Sequence, residues 1–119
     1  MKRLIAILML LVTSVARGAD ATHDEEIEHL IRFVEESEVV FIRNGSDHTA
    51  ADAAEHIKKK REHFKNRIKS AEDFIALAAS GSIVGKEPYR IRMKDGTTMT
   101  SAAWLGAELK RLREGPRHE

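Results

Sequence analysis

Between Phe41 and Lys60 the chain carries Arg43, Asn44, Asp47, His48, Asp52, His56 and Lys60. Two chemistries suit such a set. Arginine offers a bidentate fork, asparagine both a donor and an acceptor, and lysine a compact point charge, a combination that recognises carboxylate or phosphate. Alternatively, His48 or His56 serves as a general base oriented by Asp47 or Asp52. A covalent nucleophile has no candidate, because the chain has no cysteine and no serine within a Gly-x-Ser-x-Gly turn. Asp52 with His56, and Glu25 with His29, have the i, i+4 spacing of a shared ion. His56 and His63, however, lie two turns apart, too far for one zinc, and no HExxH or EF-hand loop is present. We therefore expect no catalytic residue, no metal ligand and no cofactor, and place anion recognition ahead of catalysis.

The elements that must position these residues are legible as patterns. Ile27, Leu30, Ile31 and Val34 follow the spacing of a helix with one buried stripe, and Asp24, Glu25 and Glu26 suit its first turn. Val39 to Ile42 is a short β-prone run, and Asn44-Gly45 is a strong turn signal. Thr49 with Asp52 has capping-box spacing and predicts a second helix to about Ile68. On that helix Ala53, Ile57, Phe64 and Ile68 share the buried face. His56, Lys60, His63 and Arg67 form a cationic ridge beside it. Ser70 with Asp73 opens a third helix over Phe74, Ile75, Leu77 and Ala78, which Gly81 can end.

Tyr89 to Met93 alternates cleanly, and a three-residue loop, Lys94 to Gly96, would set Ile91 opposite Met99. Ser101 is the expected cap of a last helix bearing Trp104, Leu105, Leu109 and Leu112, stopped by Gly115-Pro116. The fold class is α+β, mostly helical, with about four helices and one β-hairpin packed on them.

The N-terminus speaks to location. Lys2 and Arg3 precede an apolar run from Leu4 to Val15, and small residues follow, the layout of a secretory signal peptide. Cleavage fits after residue 18 or after residue 21, so 1–18 reads as leader and 19–119 as one small helical domain. The apolar run is shorter than the roughly 20 residues that span a bilayer, so no stable membrane anchor is expected after cleavage. Cutting after Gly18 removes Lys2, Arg3 and Arg17, leaving 17 basic residues against 19 acidic ones, a balance that does not favour nucleic acid. Without cysteine no disulfide helps, so an aliphatic core must hold the domain by packing.

Phe41-Ile-Arg-Asn-Gly45, His48-Thr49, Asp52-Ala53-x-x-His56-Ile57-x-x-Lys60, Arg67-Ile68-x-Ser-Ala-Glu72-x-Phe74-Ile75 and the stretch Ser82 to Tyr89 together resemble the YfeK-like family of small exported bacterial proteins of uncharacterised function. The resemblance runs from about Ile27 to Leu112. It implies a periplasmic location and a single helical domain, and it implies no activity, substrate or catalytic residue. Members often carry a cysteine near the F-x-R-N-G stretch, where this chain has Val39, Val40 and Ala50. Gly85-Lys86-Glu87-Pro88-Tyr89 is one residue longer than the family's Gly-Lys-Pro-Tyr.

The resulting expectation is a periplasmic, non-enzymatic accessory or binding module. Its candidate ligand-binding residues are Arg43, Asn44, His48, His56 and Lys60, edged by Tyr89, and its partner is an anionic envelope ligand or an acidic protein surface. A cell-envelope hydrolase using a histidine base and a purely structural motif are the alternatives.

Overall fold

The computed structural model describes residues 22–81 and 87–115. The leader expected over 1–18, both cut points, and Pro116 lie outside these residues. Among them, no helix is long and apolar enough to cross a membrane.

Helix α1 (His23–Glu36) opens with a reciprocal cap. The Thr22 hydroxyl accepts from the Glu25 amide and the Glu25 carboxylate accepts from the Thr22 amide, each at 3.1 Å. Ile27, Leu30, Ile31 and Val34 are all buried, as their spacing predicts. Four short strands follow the chain as β1 (Val40–Arg43), β2 (Ser46–His48), β3 (Arg90–Arg92) and β4 (Thr98–Thr100). They form one antiparallel sheet in the order β2-β1-β3-β4.

The sheet therefore holds two hairpins, one more than the sequence reading allowed. Asn44 (φ +51°) and Gly45 (φ +80°) form a two-residue turn that closes β1 onto β2. Positive φ at both central positions matches the twist of paired strands, and Asn-Gly supplies it cheaply. The other hairpin follows expectation. Ile91 faces Met99, and Gly96 (φ +93°) donates its amide to Met93 across a three-residue loop.

Helix α2 (Ala50–His63) is capped by Thr49, whose hydroxyl accepts from the Asp52 amide at 3.0 Å. It stops five residues short of Ile68. The chain tightens into a 3-10 turn over Lys65–Arg67, and Ile68 is extended. The next helix's cap captures the backbone there. The Lys69 amide bonds the Asp73 carboxylate at 2.9 Å, and Ser70 Oγ accepts from the Asp73 amide at 3.0 Å. Helix α3 (Ala71–Phe74) continues as a wide π turn through Ile75–Ala79.

Helix α4 (Ser101–Glu114) is capped by Thr100, not by Ser101 as expected. Ser101 is instead fully buried, and its hydroxyl donates to the Ala79 carbonyl at 2.7 Å, tying α4 to the π turn. Gly115 (φ +72°) ends the helix. The core lies between the helices and one face of the sheet, with Ile27, Leu30, Ile57, Phe74, Ile91 and Leu105 wholly enclosed. Trp104 is buried too, its ring 4.7 Å from that of Phe33 and 5.8 Å from that of Phe41.

Candidate functional site

Strand alternation aims Arg43. Phe41 is buried toward the helices, so Arg43, two residues on, leaves β1 from the same face just before the Asn-Gly turn. It meets α2 there. The Arg43 Nη1 lies 3.2 Å from His56 Nε2 and 3.5 Å from His56 Nδ1. His56 Nε2 is also 3.0 Å from the Tyr89 hydroxyl. One turn further along α2, the Lys60 ammonium donates to the Gly81 carbonyl at 2.6 Å and to the Tyr89 hydroxyl at 3.3 Å. It also stands 5.1 Å from the Tyr89 ring centroid, within cation–π range.

Backbone bonds fix the tyrosine. Its amide donates to the Ser80 carbonyl at 2.9 Å, and its carbonyl accepts from the Ser101 amide at 2.8 Å. Sheet, α2, the end of the π turn and the start of α4 thus meet through one chain of polar contacts.

A small cleft opens between α2 and the β1–β2 hairpin. Phe41, Ala53 and Ile57 form its apolar floor, and Arg43, His48, Asp52, His56 and Tyr89 its polar rim. Its free volume is about 20 Å³, space for about one water.

The electrostatics follow from the donors. A guanidinium has only N–H groups to offer, so the imidazole nitrogen facing it must present a lone pair. The contact therefore favours the neutral His56 ring. Its pKa lies below the ordinary 6.5, chiefly because burial disfavours the charged ring, then because Arg43 and Lys60 repel it, with smaller contributions from His48 and Lys59.

The sequence candidates divide accordingly. Arg43, His56, Lys60 and Tyr89 join one network, and His48 shares the cleft. Asn44 does not line the cleft; its side chain is exposed at the turn, and its service is the positive φ. The cationic ridge is shorter than anticipated. His63 packs edge-on against Phe64 with ring centroids 4.6 Å apart, and the Arg67 guanidinium, beyond the end of α2, lies 5.7 Å from the same ring's centroid.

Sequence reasoning missed three participants. The Gly81 carbonyl is the nearest acceptor for Lys60, a backbone role that no side-chain motif announces. The others are buried acids. Glu108 binds His29 at 2.6 Å and Arg111 at 2.7 Å, so His29 pairs across to α4 and not with Glu25. Glu26 accepts both ends of a fork from Arg113, each contact 2.9 Å, while the same arginine reaches Glu72 at 2.6 Å. The i, i+3 spacing of Glu108 and Arg111 was the one local signal for either cluster.

Fold and site define a small, mostly helical α+β domain with a polar rim over an apolar niche. Residues 21–113 match the model of DUF5329, a family of unknown function, and the chain belongs to that family. It is also similar to the uncharacterized protein YfeK of Salmonella typhimurium (strain LT2), with 29% identity over 92 residues, covering 75% of this chain and 77% of that protein. No solved structure matches it.

Proposed function

We propose that this protein is an exported, periplasmic accessory or binding protein that works by holding an anionic group at the mouth of the Arg43–His56–Tyr89 cleft, beside Lys60, without catalysis. The pairing of its cations carries the reading. Lys58, Arg61, Lys65, Arg92, Lys94, Arg111 and Arg113 each meet a carboxylate. Arg32, Lys59, Arg67, Lys69 and Arg90 have no such partner among the described residues either, but they are exposed; Arg43 and Lys60 are half-buried, bind an imidazole, a phenol and a carbonyl, and among the described residues have no carboxylate within salt-bridge distance. Two half-buried positive charges with no carboxylate in salt-bridge range favour an anion beside them. Export is supported by the leader pattern at the N-terminus and by the family resemblance. Against a hydrolase, the His56 lone pair faces a guanidinium and no serine, threonine or cysteine is among the residues lining the cleft.

The competing reading is a polar staple that fixes α2 to the sheet. It is favoured by the small free volume and by the close Lys60–Gly81 bond. Thermal melting in phosphate, acetate and citrate at fixed ionic strength separates the two. Anion binding raises the wild-type melting temperature by several degrees once the ligand exceeds its dissociation constant about tenfold, and the rise disappears in Arg43→Ala/Lys60→Ala. A flat wild-type response to all three leaves the staple.

A further inference from the structure

We propose that the cleft takes up its anion together with one proton, carried by His56, so that it captures a small carboxylate-sized anion more tightly as the medium acidifies. This rests on the anion-binding reading above and adds ligand size and regulation to it. The geometry supplies the coupling. The Arg43 guanidinium lies against the His56 ring, nearest Nε2, and a donor-only group there favours the neutral imidazole. A bound anion at the rim attracts those same N–H groups. As Arg43 turns its donors to the anion, His56 Nε2 keeps only the Tyr89 hydroxyl, a group that can accept as well as donate and so tolerates a proton on that nitrogen. A proton on that nitrogen then makes it a further donor toward the negative charge.

The charges around the ring set the sign. Arg43 faces it from β1, His48 from β2, Lys59 and Lys60 from α2, and Tyr89 from the approach to β3; Asp52, also on α2, supplies the one carboxylate of the rim. This excess of positive charge opposes protonation when the cleft is empty. A bound anion offsets it and raises the proton affinity of His56. By linkage, protonation raises anion affinity by the same factor. Affinity is therefore lowest and constant above the His56 pKa of the occupied state. It increases as pH falls below that value, about tenfold for each pKa unit separating the occupied and empty states. Size sets the ligand class. Free space of about 20 Å³ holds about one water, so the anion is held at the mouth of the cleft by one small charged group, with the rest of its molecule outside.

Methanesulfonate is a suitable probe, because its charge is fixed between pH 5 and pH 8. Its affinity for the wild-type protein is measured by calorimetry at pH 5.0, 6.0 and 7.5, with His56→Gln in parallel. The expected result is an affinity at least several-fold higher at pH 5.0 than at pH 7.5 in the wild type, and no such trend in His56→Gln. Wild-type binding that is equal at all three values overturns proton coupling and leaves the anion site standing. No binding at any pH overturns both. Should His56→Gln not fold, an NMR titration of the His56 ring in the wild-type protein decides alone. Its midpoint moves to higher pH when methanesulfonate is added, and an unmoved midpoint overturns the proposal.

Discussion

The guanidinium of Arg43 stands 3.2 Å from Nε2 of His56, a contact that joins the end of β1 to the middle of α2 and favours the neutral imidazole. Because the folded-state pKa lies below the ordinary 6.5, the unfolded chain takes up this proton first. The His56 contribution to stability is thus intact above about pH 6.5 and declines as pH falls through that value. Arg43→Ala removes one of the repelling charges, so the ring titrates at higher pH and the stability profile flattens between pH 7 and pH 5. NMR titration of His56 with urea melts at several pH values checks both effects. A ring midpoint unchanged in the variant contradicts the electrostatic account.

Gly81 supports the same network through its backbone. A Cβ there would lie 3.3 Å from both the Glu87 carbonyl oxygen and the Pro88 Cα, so the backbone opposite has to give way. The carbonyl that accepts from Lys60 moves with it. Gly81→Ala is expected to cost about 1 to 3 kcal/mol, the range for overpacking, and to weaken any anion response. Chemical denaturation measures the first effect and thermal shift the second.

Glu108 is a separate acid-sensitive point. Bonding to Arg111, together with the bond from His29, holds its carboxyl down at about 2, against an ordinary 4.5, in spite of burial. Its stabilisation is in place above pH 4.5 and is lost as pH falls from there toward 2. Glu108→Gln is expected to cost about 2 to 3 kcal/mol at pH 7, as for a hydrogen bond to a charged group. Its deficit relative to the wild type narrows in acid. Denaturation at pH 7 and pH 3 makes the comparison.

Adjacent hydroxyls at the start of α4 have different duties. Thr100→Ala removes an exposed cap and is expected to cost about 1 kcal/mol. Ser101→Ala strips the Ala79 carbonyl of a buried donor and is expected to cost about 1 to 3 kcal/mol. Equal costs, or a larger cost at Thr100, would reverse the assignment drawn from their burial.

Regular periodicity made much of this fold legible. The α1 stripe, the buried face of α2, the Ile91–Met99 register and the Asn44-Gly45 corner follow from spacing and from the few residues that tolerate positive φ. Strand β2 was hidden because Ser46-Asp47-His48 is short, polar and at the sheet's edge, where no apolar alternation is required. The early end of α2 escaped notice because Phe64 and Ile68 keep helical spacing and are both buried, although the chain between them is a tighter turn. Glu26 and Glu108 look like solvated helix charges, and only the tertiary approach of Arg113, Arg111 and His29 makes their burial tolerable. In the cleft, Arg43, His56 and Lys60 were visible as types on predicted elements. Their meeting at Tyr89 depends on the long-range pairing of β1 with β3, which no local pattern encodes.

A residue-resolved NMR titration of the wild-type protein with methanesulfonate at pH 5.5 locates the bound anion. Saturable shifts are expected in the Arg43 side-chain N–H, the His56 ring and the backbone amide of Tyr89, with little change around the Glu26–Arg113 cluster. Shifts that never saturate, or that spread evenly over the exposed lysines and arginines, would contradict binding at the cleft.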